Sequence, residues 1–175
     1  MLTKEMPTNS TSKTFGAWSQ SIDQLSGRLC VEFEDLKPGL RHGVYLELHN
    51  DGFAPAVVSN LPEFRSELFD SSGQPVGTSA ALEDGPTSIL QWAVIPSDSY
   101  LGLRVDRQSA GVPTKQHKRI LIALGDKTWE LSAGKYLLEA TAVFKREESG
   151  PDNQWVGELK LSPVDVVVTD EMFIE

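Results

Sequence analysis

Metal or thiol chemistry in this chain would have to reside in three histidines, His42, His49 and His117, and a single cysteine, Cys30. No two histidines stand at His-x-x-x-His spacing and no Cys-x-x-Cys occurs, so the four convergent ligands of tetrahedral zinc have no support. Cys30 and His49 would pair a thiol with a base if their strands are neighbours. Cys30, however, alternates with Glu32 and Glu34, whose negative charge raises a thiol's pKa and keeps it protonated. The expectation is an unreactive thiol and surface histidines. Carboxylates are more plentiful, and a glycosidase needs only two, roughly 5–10 Å apart. Glu32, Glu34, Asp35, Glu47 and Glu67 would supply them if their strands share one sheet face; the plainer expectation is a solvated outer face.

Phosphate chemistry has no motif. Gly125-Asp126-Lys127-Thr128 lacks the glycine four residues ahead of its Gly, and no Gly-x-Gly-x-x-Gly follows a strand. A Gly-x-Ser-x-Gly elbow is absent as well. The chain is therefore expected to be no enzyme and to carry no cofactor. Trp92 and Trp155 fall on apolar-rich strands and Trp129 begins a short strand before the glycine turn; all three are expected in the core, whereas a carbohydrate-binding role would require a fully exposed tryptophan.

Two loops stand out for binding. Residues 106–118 are too long for a tight hairpin, and structureless loops above about 12 residues tend to be functional or disordered. This one is basic on an acidic chain, with Arg107, Lys115 and Lys118 followed by Arg119. Arg107, Gln108, Val112, Lys115 and His117 are the residues expected to meet a partner protein with an acidic patch. The second segment, 52–58, is apolar without alternation, and it reads as an edge strand blunted by Pro55.

The elements that must hold these loops read as strands. Leu29, Val31 and Phe33 alternate with Cys30, Glu32 and Glu34; Val44, Leu46 and Leu48 with Tyr45, Glu47 and His49; Phe64, Ser66 and Leu68 with Arg65, Glu67 and Phe69. Turn signals follow at Lys37-Pro38-Gly39, at Asn50-Asp51-Gly52, where positive φ is expected, and at Asp70-Ser71-Ser72-Gly73. Thr87–Ile95 is nearly continuously apolar, as for a strand covered on both faces. Leu101–Val105, Ile120–Leu124, Tyr136–Phe144, Trp155–Leu161 and Val164–Val168 complete about nine strands, with no long amphipathic helix. Residues 1–27 are polar and expected to form a flexible N-terminal extension, within which Phe15 and Trp18 dock as a short helix or strap; 28–170 form the domain and 171–175 a tail.

Composition agrees with one globular domain: 175 residues, 39% hydrophobic and 23% charged. A net charge of −9 repels phosphate backbones and anionic lipid, so neither nucleic acid nor membrane insertion is expected. No apolar run approaches the roughly 18 residues of a membrane helix. The first 27 residues lack the layout of a signal peptide, which with one cysteine favours the cytoplasm.

Leu131-Ser132-Ala133-Gly134-Lys135-Tyr136 places a glycine turn two residues before a strand-opening tyrosine. This resembles the tyrosine corner of immunoglobulin-like sandwiches, and the fold expectation is an all-β, immunoglobulin-like antiparallel β-sandwich. The order Leu48-His49-Asn50, Phe69-Asp70-x-x-Gly73, then Leu131-x-x-Gly134-Lys135-Tyr136-x-Leu138 resembles the layout of the bacterial intracellular proteinase inhibitor family over roughly 90 residues. That resemblance implies a non-catalytic module that binds another protein, a protease-inhibitor role included; an extracytoplasmic carbohydrate-binding or adhesion module is the alternative.

Overall fold

The computed structural model describes residues 11–36, 39–79, 89–106 and 119–173. Among them the chain is all-β, with twelve strands, four antiparallel sheets and a single turn of 3-10 helix at Asp170–Met172. The strands are β1 (Thr11–Phe15), β2 (Leu25–Leu36), β3 (Gly39–Asn50), β4 (Ala56–Ser59), β5 (Glu63–Asp70), β6 (Trp92–Ile95), β7 (Ser99–Arg104), β8 (Ile120–Leu124), β9 (Lys127–Leu131), β10 (Gly134–Phe144), β11 (Gly157–Lys160) and β12 (Val164–Val168). The first sheet runs β1-β2-β3-β7. In the second, β5 pairs one edge of β10 over 136–143, while β12 and β11 share the other edge, over 134–138 and 141–144. β4 pairs β6 and β8 pairs β9 as two-stranded ladders.

Period-two patterning explains the core. Leu29, Val31, Phe33, Val44, Leu46 and Leu48 point inward from the first sheet; Phe64, Leu68, Leu138, Ala140, Ala142 and Phe144 do so from the second. Each fully buried leucine stabilises the fold by about 1.5–3 kcal/mol. The layers approach closely at Gly27, where a Cβ would stand 3.1 Å from Leu161 and 3.2 Å from Leu159. The arrangement is compatible with a β-sandwich.

Each of the nine expected segments contains a strand, and β1, β4 and β9 raise the count to twelve. Alternation marks none of these three, although 52–58 and the segment opened by Trp129 read as short strands that overlap β4 and β9, and the cause differs in each case. β4 is buried at all four residues, so nothing alternates. It is no open edge: Ala56–Ser59 pair with β6, and the Val57 carbonyl accepts the Trp155 N–H at 2.7 Å. β9 mixes Lys127, Thr128 and Glu130 with fully buried Trp129 and Leu131. β1 is polar, yet it pairs residue for residue with β2 from Thr11↔Glu34 to Phe15↔Cys30. The extension expected over 1–27 thus contributes a strand and the start of β2, because backbone pairing needs no apolar side chain. The segment after Phe15 is a strap, not a helix: Gly16 N–H donates to the Leu29 carbonyl at 2.9 Å and Ser19 N–H to that of Gly27 at 2.8 Å. It closes in the two-residue turn Asp23-Gln24, φ +45° and +68°, between Ile22 and Leu25.

The apolar run before Ile95 also differs from expectation. Among its described residues, 89–95, only Trp92–Ile95 form a strand, Ile89 and Val94 face solvent, and Ile95 alone is buried. Its apolar side chains alternate outward because β6 sits in a two-stranded ladder instead of mid-sheet. The turn after Asn50 carries no positive φ. It is shaped instead by the fully buried Asn50 side chain, whose Nδ2 donates to the carbonyls of Ala54 (2.8 Å), Ile95 (2.9 Å) and Pro96 (3.2 Å), while Oδ1 accepts from Gly52 N–H at 3.0 Å. The Asp70 turn is as expected: its Oδ1 accepts from Ser72 N–H (2.8 Å), Ser72 Oγ (2.6 Å) and Gln74 N–H (3.0 Å), and Gly73 takes φ +78°. Tyr136 Oη donates to the Ser132 carbonyl at 3.0 Å.

Asn50→Ala strands the buried Ile95 carbonyl and removes two part-buried bonds, and is expected to cost about 1–3 kcal/mol in urea unfolding with unchanged denaturant slope; a loss below about 0.5 kcal/mol would show the carboxamide to be dispensable. The Asp70 carboxyl is held below its ordinary pKa, first by the Ser72 hydroxyl and then by the Gln74 N–H. A lowered folded pKa contributes stability above the unfolded value of about 3.9 that is lost as pH falls through the folded one. Asp70→Asn should therefore be less stable than the parent at neutral pH, the difference closing below about pH 4; a pH-independent difference would refute the charge-based account.

Candidate functional site

Cross-strand partners share a face, so the register of the first sheet defines what its outer surface carries. Phe15, Cys30, Tyr45 and Arg104 form one row; Arg28, Glu47 and Gly102 the next; Ser26, His49 and Tyr100 the third. The strap lays Trp18 across the last two. The Arg28 guanidinium lies 4.5 Å from the Phe15 ring centre and 4.6 Å from that of Trp18, and its Nη2 is 2.7 Å from Glu47 Oε2. His49 and Tyr100 stack at 4.3 Å and 12°, and Trp18 tilts against both at 5.9 and 5.7 Å. Lys13 Nζ stands 5.3 Å from Phe15 and 5.8 Å from Tyr45. Aromatic rings and cations thus alternate across the sheet, each contact worth about 0.5–1 kcal/mol at exposed positions.

Two of the rings are held without being covered. Phe15 remains 44% and Tyr100 65% exposed. Between Tyr100 and Arg104 sits Gly102, which has nothing within 4 Å of where a side chain would begin, leaving a notch beside Glu47. Arg104 is anchored at the margin by both oxygens of Asp106, each at 2.8 Å, and that carboxylate is itself buried.

The outer face of the second sheet has a different chemistry. There Lys127 pairs with Glu67 (2.6 Å), Lys145 with Glu63 (2.6 Å), and Arg65 with Glu158. A shallow concavity of about 650 Å³ is lined by Arg65, Glu67, Lys127, Glu139 and Lys160, among others. Cross-strand ion pairs of this kind make a solvated surface.

The structure disperses most of the candidate residues. Glu67 lies on the second sheet, and Glu32 and Glu47 on the first, so the five carboxylates do not share a face. The periodicity could not reveal this because β5 crosses over to pair β10. The side chains of Glu34, Asp35 and His42 lie outside the described residues, as do residues 107–118, and with them Arg107, Gln108, Val112, Lys115 and His117. Cys30 and Tyr45, not His49, are cross-strand partners. Burial pushes the Cys30 thiol up to about 11, with Glu47 and Glu32 adding to the shift against the opposing charges of Lys13 and Arg28. Desolvation is the larger cause, where the sequence suggested the carboxylates. Trp129 and Trp155 are buried, and Trp18 and Trp92 half-buried, so no tryptophan is fully exposed. Trp155 packs edge-on to Phe144 and donates its Nε1–H to the Asp23 carbonyl at 3.2 Å. His49 is a surface histidine only in part: it is stacked on Tyr100 and lies 3.4 Å from Asp98. The sequence reading missed Arg28, Tyr45 and Tyr100. Their signal was present as aromatic and arginine side chains at outward positions of alternating strands.

No family model, curated protein or solved structure matches the chain. The inhibitor-family resemblance therefore rests on layout alone. For Cys30 the expectation is specific. At pH 8 the folded protein should react with a disulfide reagent roughly 200-fold more slowly than the urea-unfolded chain, from the thiolate fractions alone; comparable rates would refute the shielded thiol.

Proposed function

We propose that this chain is a non-enzymatic protein-binding module with an immunoglobulin-like β-sandwich architecture, docking its partner on the outer face of the β1-β2-β3-β7 sheet. The observation that carries the reading is the mutually held set Phe15, Trp18, Arg28 and Tyr100, in which Phe15 and Tyr100 are exposed and Trp18 and Arg28 half-buried. Tryptophan, tyrosine and arginine are the residues that dominate interface energetics. Here the rings and the guanidinium already hold one another in place, so little side-chain freedom is lost on docking, a cost otherwise about 0.5–1.5 kcal/mol for each immobilised side chain. The Gly102 notch offers a place for one partner side chain. The hydrogen bond from Tyr136 to Ser132 supports the immunoglobulin-like assignment. The basic segment at 107–118, which continues from the end of β7 beside Arg104 and Asp106, belongs to the proposal as a second contact for an acidic patch. A carbohydrate-binding role lacks the fully exposed tryptophan it calls for.

Affinity capture from soluble extract of the native organism, quantified by mass spectrometry, tests this. The parent chain is compared with Phe15→Ala/Tyr100→Ala and with a chain whose residues 107–116 are a Gly-Ser linker. A protein enriched by the parent and reduced about tenfold or more by the double variant is expected, with the variant's Tm within a few degrees of the parent's. Enrichment unchanged by the double variant but lost with the linker would move the site to the loop. Enrichment of nothing by any chain would overturn the binding-module reading.

A further inference from the structure

Phe53 stands fully in solvent, yet the loop that carries it is held by hydrogen bonds on both sides of it. Asp51 N–H donates to the Gln24 carbonyl at 3.0 Å, and its carboxylate accepts from Ser21 Oγ at 2.9 Å. Gly52 N–H donates to Asn50 Oδ1 at 3.0 Å, and the Gly52 carbonyl accepts from Ser97 Oγ. On the far side of Phe53, the Ala54 carbonyl accepts from Asn50 Nδ2 at 2.8 Å. Gly52 packs so tightly on Gln24 that a Cβ would fall 2.1 Å from its Oε1. The backbone on both sides of Phe53 is therefore fixed, and the ring projects from it with nothing to rest on.

One exposed phenylalanine is unremarkable in a surface; this one has company of a particular kind. Ile22, at the tip of the neighbouring hairpin, and Val156 are also exposed, as are Ala54 and Pro55. A concavity of about 560 Å³ at this pole is lined by Asp23, Gln24, Pro55, Asn153 and Val156, among others. The charges around it are mainly negative. Asp23, Asp51 and Asp152 are exposed; Asp98, beside His49, is exposed and joined to the loop by its N–H to the Asn50 carbonyl at 2.8 Å; Arg146 is the cation lining the concavity. An apolar prong set among carboxylates repels an anionic bilayer and is complementary to a protein surface of opposite charge.

We infer that Phe53 is an anchor residue by which this pole docks on a partner protein whose binding surface is an apolar pocket rimmed by lysine or arginine. A ring fixed before binding enters such a pocket at low entropic cost. Carboxylates at the rim give the encounter a dependence on ionic strength. The inference concerns a surface separate from the Phe15–Tyr100 face and stands or falls apart from it.

The test places a photo-crosslinking benzoylphenylalanine at position 53 of the full chain, with the same group at exposed Gln91 as control, in soluble extract of the native organism. Position 53 is expected to give an adduct about tenfold above the control. Its crosslinked peptide should map to an apolar segment flanked by Lys or Arg, its yield should fall as salt rises, and it should persist in the Phe15→Ala/Tyr100→Ala background. Phe53→Ser should weaken capture of that same protein about thirtyfold, the loss of one aromatic anchor, with Tm unchanged because the ring packs on nothing. Equal adducts at both positions, an adduct only with a second copy of this chain, or salt-independent capture would each overturn the inference. Cosedimentation of the parent, but not Phe53→Ser, with phosphatidylcholine or phosphatidylserine vesicles would overturn it in favour of a membrane. Loss of the adduct in the double variant alone would show the pole to have no binding of its own.

Discussion

One buried carboxamide organises this fold. Asn50 ends β3, the strand that pairs both β2 and β7, and its side chain reaches the β3–β4 loop through Ala54 and the end of β6 through Ile95. Its own carbonyl takes the Asp98 N–H that shapes the turn into β7. The Ile95 carbonyl, withdrawn from water, costs about 1–3 kcal/mol if left unpaired. An apolar side chain at position 50 would leave it so. The β4–β6 ladder is thereby joined to the four-stranded sheet by hydrogen bonds where no strand pairing joins them.

The clamp has consequences on two surfaces. It fixes the turn at Asp98, and so the start of β7, which carries Tyr100 onto His49. It also fixes the loop that holds Phe53 outward. Tyr100 is held by its stacking on His49 as well, but Phe53 is placed by the polar groups of its backbone alone, not by packing of its ring. That is the reverse of the core, where Leu29, Leu46, Leu138 and Phe144 are placed by what they touch.

The two outer faces illustrate how similar sheets take on different chemistry. On the second, Glu63, Arg65 and Glu67 of β5 find Lys145, Glu158 and Lys127, and the surface is neutralised pair by pair. On the first, Arg28 meets one carboxylate among the described residues, Glu47, and lays its flat faces against Phe15 and Trp18. An arginine can do both at once because its in-plane donors and its π surface are independent. The strap makes this possible: without residues 16–22 running back along β2, Trp18 would have no place over the sheet. Cys30 is buried on this same outer side, in the row between Phe15 and Tyr45, which explains a shielded thiol on a face that alternation assigns to solvent.

By itself the sequence determined the features that local period and turn chemistry control. The inward sets of β2, β3, β5 and β10, the Asp70–Gly73 turn and the Tyr136 hydrogen bond were all legible, because each depends on residues within a few positions of one another. Strands without alternation were legible only in part: β4, read as an edge, is buried at all four residues with Ser59 included, and β1 is polar up to Phe15, held by backbone pairing with β2 and by the contacts of Lys13 and Phe15 across the sheet. Nor could sequence tell which strands share a sheet, since pairing of β5 with β10 joins residues some seventy positions apart and no local signal encodes a crossover. Tertiary structure alone decided that Glu67 parts from Glu32 and Glu47, that Arg28 lies between two rings, and that a loop with an apolar tip is pinned open by an asparagine. These are matters of which distant groups converge, and convergence is set by the packing of layers, not by the order of residues along any one of them.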